Sequence, residues 1–310
     1  MLRFVARRSL YTIVVIFVAS IVIFYGLRVA PGDPASALFN PLATPQVREA
    51  LRVKLGLDKP IVVQYLYFLR DFFKGDFGES IKSGQPIPEL VKEYGKNSLL
   101  LVSAAGLFTY ALAIPLGVIA AARRRSWIDH AITVFASLEL GIPSFLLALL
   151  LVLVIAPKVG LPISGTGGFK HLILPVIALS GEGVGVSLRL MRSSMVEQLE
   201  LDYVRALRAK GLRRRAIIWR RALRNALIPI ISLSGIQLGA LVGYTAIVEI
   251  IFRWPGLGQL LVSSVLQRDY PVALWLSLLL TVSVVLFNFA ANIGYALVDP
   301  RIRFAGREAS

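Results

Sequence analysis

Apolar residues in this chain fall in long, nearly unbroken runs rather than in the short rhythms of a soluble core. A helix needs about 20 mainly apolar residues to cross the hydrocarbon of a bilayer. Six segments reach that length: Ser9–Leu27, Asn97–Ala122, Ile128–Ala156, His171–Leu190, Ala226–Phe252 and Val272–Val298. They predict an all-α polytopic membrane protein with six transmembrane helices. The first run follows Arg3, Arg7 and Arg8, as a secretion signal would. It is longer than a signal core of about 7–15 apolar residues and meets Arg28 with no small-x-small cleavage site, so it reads as a span.

Lys and Arg are unevenly shared between the alternate compartments. Twenty lie on the side of the chain start, the 123–125 cluster, the 189–224 loop and the tail, and fourteen on the other, ten of those in the long 28–96 segment. Basic loops stay cytoplasmic, and a long segment translocates despite its charge. Both ends are therefore expected inside. The division is residues 1–30 as N-terminus and first span, 31–96 as an extracytoplasmic helical segment, 97–298 as a core containing a cytoplasmic loop over 190–227, and 299–310 as a cytoplasmic tail. In the outer segment, Thr44-Pro45 opens a helix that Gly56 closes. A second helix runs from about Pro60 to Lys74 and stops at Gly75, with Val62, Val63, Tyr65, Leu66, Leu69, Phe72 and Phe73 on a broad apolar face. It is expected as a small cap packed over the spans.

Composition narrows the choices. At 56% apolar residues and a mean hydropathy of +0.71, the chain exceeds the 45–50% typical of soluble domains. The net charge of +16 would indicate nucleic acid in a soluble protein, but here the basic residues sit between spanning runs, so no nucleic-acid partner is expected. There is no cysteine, and His130 and His171 are the only histidines; a thiolate or histidine metal site is not expected. No G-x-x-x-x-G-K-[ST] loop occurs, so no cofactor is expected in this chain, and any ATP must be bound by another.

Polar and helix-bending residues inside the runs are the next signal. Glu139, Glu182 and Glu249 fall in or at the ends of spans. A carboxylate near the bilayer centre costs about 2.5–3.5 kcal/mol on insertion scales, so each must face protein, water or the interface. Glu182, between Gly181 and Gly183, is the main candidate for a pathway or subunit-interface group, with a paired structural carboxyl as the alternative. Glu139 is a second candidate, and Glu249 is expected at the membrane interface. Gln237 and Asn288 are placed to hydrogen-bond between helices, and Gln237 joins Glu182 and Glu139 as a candidate for the pathway or subunit interface. Pro115, Pro143, Pro175 and Pro229 each remove a backbone donor within a run. Gly235, Gly239 and Gly243 form a smooth stripe for helix packing.

The loop before the fifth run carries the most information. Tyr203, Ala206, Leu207 and the stem of Lys210 fall on one helical face, Gly211 permits a left-handed turn, and Leu212, Ile217, Ile218 and Trp219 resume an apolar face. The pattern is a short helix, a turn and a second helix beneath the membrane. From physics alone it fits either a partner-docking lever or a helix lying on anionic lipid.

Asp202 to Leu212, followed by Arg224 to Pro229, resembles the EAA loop of ABC-importer permeases in its dipeptide/oligopeptide version, D-Y-V-R-x-x-R-A-K-G-L then R-N-A-L-I-P. The resemblance runs along nearly the whole chain. It includes Ala30-Pro31-Gly32-Asp33-Pro34, then Leu55-Gly56-Leu57-Asp58 with Pro60, Gln64 and Tyr65, and Gly75-Asp76-Phe77-Gly78 with Ser80. Trp254-Pro255-Gly256-Leu257-Gly258, Arg268-Asp269-Tyr270-Pro271 and Asp299-Pro300-Arg301-Ile302-Arg303 complete it. Arg205-Ala206-Leu207 stands where the general loop has Glu-Ala-Ala. The long first outer segment is similar to the B-type permease rather than its C-type partner.

The resemblance implies a type I ABC importer permease fold, N-in/C-in, in a prokaryotic cytoplasmic membrane. It implies a non-catalytic subunit that encloses half of a path for short peptides, with a related C-type permease as the other half. Two ATP-binding subunits, holding ATP and Mg, and an extracytoplasmic solute-binding protein complete the assembly. Asp202, Tyr203, Arg205, Ala206, Leu207, Lys210, Gly211 and Leu212 would form the ATPase-coupling element. Nickel, glutathione or oligosaccharide remain alternative solutes. An ion-coupled secondary transporter is a rival class, although no convincing internal repeat supports it, and an intramembrane hydrolase lacks a G-x-S-x-G elbow.

Overall fold

The computed structural model describes residues 2–29, 46, 53 and 58–298. The expected helix from Thr44 to Gly56, the motifs at Ala30–Pro34 and Leu55–Leu57, and the tail from Asp299 lie outside the described residues. Ten helices are described. α1 is Leu2–Val29, α2 Ile61–Lys74, α3 Ile87–Ala122, α4 Trp127–Gly141 and α5 Ser144–Val159. α6 is Phe169–Glu200, α7 Asp202–Ala209, α8 Arg214–Ile251, α9 Leu257–Leu266 and α10 Tyr270–Val298. Among the described residues, five helices are long and apolar enough to cross a membrane, and the bent pair α4–α5 makes a sixth.

The third run is where structure and sequence differ most. It is not one rod: α4 and α5 meet at 102°. Pro143 has no N–H to continue the helix, and the residue before a proline is pushed out of the helical region. Ile142 accordingly takes φ −105°, ψ 111°. Within α5 the turn Leu151–Ile155 widens to a π-helix just before Pro157, which cannot donate to the Leu153 carbonyl. The fourth run, by contrast, is one continuous helix despite its three glycines. α6 extends past the expected end at Leu190 to Glu200, so the irregular connection to α8 is short.

α6 is the centre of the bundle. Most of its spanning length is buried, and α3, α8, α4 and α5 pack around it. Between apolar helices in lipid there is little hydrophobic drive, so close packing must hold them. One cluster joins Leu101, Leu151, Leu174, Leu179 and Val248 with Trp254. A second, at the end that carries α7, joins Val118, Met191, Met195, Ile218 and Ile230. Asp129, buried at the start of α4, locks to Arg192 of α6 through two bonds of 2.5 and 2.8 Å and accepts the Arg125 N–H at 2.9 Å.

α2 starts after Pro60 and stops at Gly75, as its sequence predicts, but it packs against the sides of α1 and α10 rather than over their ends. Tyr65 and Phe68 bury against Phe24, and Phe68 lies 4.7 Å from the Trp275 ring. The following turn docks on the loop before α10. Buried Asp269 accepts from Ser80 Oγ at 2.5 Å and from the Ile81 N–H at 3.1 Å.

Candidate functional site

The α7 unit is built from three local events. Leu201 leaves α6 in an extended conformation, φ −69°, ψ 150°. Asp202 then sits in the first turn of α7, where a carboxylate suits the positive helix end, and pairs with Arg205 at 3.1 Å. At the far end Gly211 adopts φ +78°. There the Leu212 N–H returns to Leu207 O at 3.2 Å and the Gly211 N–H to Arg208 O at 2.9 Å. This is the left-handed turn that Gly211 was expected to permit, and it uses up carbonyls the helix end would leave orphaned.

The face α7 turns inward differs from the expected one. Val204 is fully buried and anchors it, Tyr203, Leu207 and Leu212 are half-buried, and Ala206 and Lys210 are exposed. The short helix is rotated so that its one β-branched residue, not the alanine, is the buried one. Asp202, Arg205, Ala206, Lys210 and Gly211 form the outward surface.

Side chains on either side of Gly211 tie this region to the bundle. The Tyr203 hydroxyl donates to Gln198 Oε1 of α6 at 3.1 Å and accepts from Asn225 Nδ2 of α8 at 3.5 Å. Arg214 Nη2 donates to the Ala122 carbonyl at 2.6 Å, closing the C-terminal turn of α3 with a cation, as the helix dipole favours. Arg124 and Glu200 pair nearby. A cleft of about 290 Å³ lies between, bounded by Arg124, Glu200, Arg208 and Arg214.

The second candidate region lies within the bundle. Gln237 Oε1 accepts from Tyr110 OH and Ser187 Oγ, each at 2.8 Å, and its Nε2 donates to Gly183 O at 3.4 Å. One side chain of α8 thus joins α3 and α6. It borders a cleft of about 140 Å³ shared by Thr109, Tyr110, Glu182 and Tyr244. Glu182 and Gln237 are brought together; Glu139 is not. It belongs to α4 and is half-buried where that helix packs on α6 at Gly181 and Gly185. Of the glycine stripe, Gly239 is buried against Asn288, Gly235 is half-buried, and Gly243 is exposed with no neighbour for a Cβ within 4 Å. Asn288 packs on α8 without bonding to it; its amide donates to Val284 O in its own helix at 3.0 Å.

Glu249, two positions before the end of α8, is fully enclosed in protein. It accepts from Ser98 Oγ at 2.5 Å and from the Gly258 and Gln259 N–H groups at 2.8 and 3.0 Å. The carboxylate supplies the acceptor that the first turn of α9 lacks. The Trp-Pro-Gly-Leu-Gly motif follows from this geometry: a Cβ at Gly256 would overlap the Glu249 carboxylate, and one at Gly258 would overlap Ala246. The sequence reading passed over Asp129, Arg192 and Val204. Asp129 and Arg192 lie 63 positions apart, and only the α4–α6 packing pairs them.

Comparison with known proteins interprets this arrangement. Residues 113–304 match the family described as binding-protein-dependent transport system inner membrane component, and residues 1–113 match its N-terminal counterpart. The chain belongs to that family. It is 37% identical over 316 residues to the oligopeptide transport system permease protein AppB of Bacillus subtilis (strain 168), covering 98% of this chain and 100% of that one. It is 36% identical over 305 residues to the glutathione transport system permease protein GsiC of Escherichia coli (strain K12), with the same coverage. The inward-facing MetNI methionine ABC transporter shares the fold, with a TM-score of 0.58 and 21% identity over 68% of this chain and 96% of that chain. The protein is an integral, multi-pass permease of a binding-protein-dependent ABC importer. Its ATPase is a separate subunit, and a solute-binding protein serves the same system.

Proposed function

We propose that this permease forms half of the translocation path for short peptides and that α7 is its docking element for the ATPase. The observation that carries the reading is the double attachment of α7: Tyr203 bonds to both α6 and α8, while Asp202, Arg205, Ala206 and Lys210 point outward. A lever needs a free surface and a stiff root, and this unit has both. Gly211 and Leu212 form its joint. Each nucleotide state of the ATPase must bind one arrangement of α7 better than another; that differential affinity is what moves the bundle.

In this reading α7 and both chain ends face the cytoplasm of a prokaryotic cell, the 31–96 segment lies outside, and a related C-type permease supplies the other half of the path. Two ATPase subunits hold ATP and Mg. Glu182, Gln237 and Tyr244 face the shared path from the α3–α6–α8 cleft, and Glu139 serves packing. A peptide solute is supported by the oligopeptide and glutathione permeases that match end to end.

Because the chain has no cysteine, one introduced thiol gives a clean test. Ala206→Cys should crosslink to the ATPase, with a yield that changes when nucleotide is added, and Ser83→Cys should not. Labelling of Ala206→Cys from outside intact spheroplasts, or absence of any crosslink in an active complex, would overturn the proposal. Glu182→Gln should change uptake without changing that crosslink.

A further inference from the structure

Helix α2 presents a surface that the bundle leaves uncovered. Its positions sort into three stripes. Ile61, Tyr65 and Phe68 turn to the protein; Tyr65 and Phe68 are buried there. Val62, Leu66 and Phe73, at i, i+4 and i+11, form a second stripe that is 57%, 57% and 82% exposed. Tyr67, Arg70 and Lys74, at i, i+3 and i+7, form a third. Lys59 joins that third stripe: its Nζ donates to Tyr67 OH at 2.9 Å, and the Arg70 guanidinium lies 4.9 Å from the centre of the same ring.

The depth of α2 identifies what covers the apolar stripe. The Tyr65 hydroxyl bonds to Ser20 Oγ at 2.8 Å. Ser20 lies nine positions inside the Val29 end of α1, about 14 Å along a helix at 1.5 Å per residue. Even allowing for the reach of a tyrosine, α2 lies below the end of the first span rather than above it. Phe68 points the same way independently, through Trp275, which lies five positions, about 8 Å, inside the Tyr270 end of α10. α1 has almost no buried side chains in its apolar length; Val18 and Val22 are 51% and 63% exposed, as a lipid-facing span requires. The apolar stripe of α2 therefore borders that lipid-facing surface at the same level.

We propose that α2 is an interfacial helix, with Val62, Leu66 and Phe73 immersed among acyl chains and the Lys59–Tyr67–Arg70–Lys74 stripe turned toward lipid phosphates. Apolar residues on one side and basic residues on another is the pattern of a helix lying in the plane of the membrane interface. Here the first stripe, Ile61, Tyr65 and Phe68, fixes the helix to α1 and α10, so it is anchored by protein and lipid together. The orientation proposed above decides only which leaflet it occupies.

The test uses the full chain, in complex with its partner subunits, in liposomes of phosphatidylethanolamine and phosphatidylglycerol. Phe73→Cys and Leu66→Cys are labelled with an environment-sensitive fluorophore, and Ser83→Cys serves as a water-exposed reference. Lipid carrying a nitroxide near the headgroup end of its chain should quench the labels at 66 and 73 several-fold more than it quenches the label at 83. Aqueous iodide should do the reverse. Iodide quenching at 66 and 73 equal to that at 83 overturns the proposal, and so does protection from both quenchers, which would mean that protein covers the stripe. Iodide trapped inside the liposomes or added outside reports the orientation separately, so a reversed topology leaves the depth result standing.

Discussion

Substitution at Gly211 separates backbone geometry from bulk. Its φ of +78° is left-handed, and a Cβ built there has no heavy atom within 4 Å. A new side chain therefore meets no wall; it meets only the left-handed penalty of about 1–2 kcal/mol for an ordinary L-residue. Asn tolerates this region well, and a β-branched residue tolerates it worst. A cost of about 1–2 kcal/mol changes a two-state ratio by about 5–30-fold. With ATP hydrolysis and solute uptake measured in the same proteoliposomes, Gly211→Val should lower uptake per ATP hydrolysed by about 5–30-fold. Gly211→Ala should fall between Val and the parent, and Gly211→Asn should stay near the parent. Complex assembly, read by size-exclusion chromatography, should be unchanged in all three. Equal uptake per ATP for the Asn and Val variants would refute the reasoning, because the two differ chiefly in how they bear a positive φ.

The other expectations concern the network that holds the bundle. Asp129→Ala strands Arg192, only 30% exposed; removing one member of a buried pair costs about 3–5 kcal/mol, so thermal unfolding of the purified permease should occur at clearly lower temperature. An unchanged midpoint would show the pair to be idle. Glu249→Ala leaves the Gly258 and Gln259 N–H groups without an acceptor, at about 1–3 kcal/mol each; hydrogen exchange at the start of α9 should speed by at least about tenfold while α6 stays protected. Gln237→Leu strips the shared acceptor from Tyr110 and Ser187. Uptake should fall while the Ala206→Cys crosslink persists, whereas loss of both together would assign Gln237 to assembly rather than to the path.

The comparison of sequence with structure turns on distance along the chain. Length and apolarity of the runs were enough to announce the spans, because a helix in lipid satisfies its own backbone and needs no distant partner. The stop of α2 at Gly75 and the left-handed turn at Gly211 were equally legible, since caps and turns are set by a few adjacent residues. The short helix and turn over residues 202–212 were legible for the same reason: a continuous stretch of basic and apolar residues around one glycine. What the sequence left undecided needed residues from elsewhere in the fold. Pro143 announced a bend but not its 102°, which depends on how α5 packs beneath α6. Glu182 and Glu139 looked alike as intramembrane carboxylates, yet they lie on two packed helices, α6 and α4, and only packing sends one to a cleft and the other into a helix contact. Glu249 was legible as a carboxylate near a span end, but not that α9 brings two N–H groups to it. Asp129 with Arg192, and Ser80 with Asp269, are charge and hydrogen-bond partners that no local pattern predicts. Sequence fixes conformations whose energies are local; pairing of groups 63 or 189 positions apart depends on helix crossings, and those belong to the tertiary structure alone.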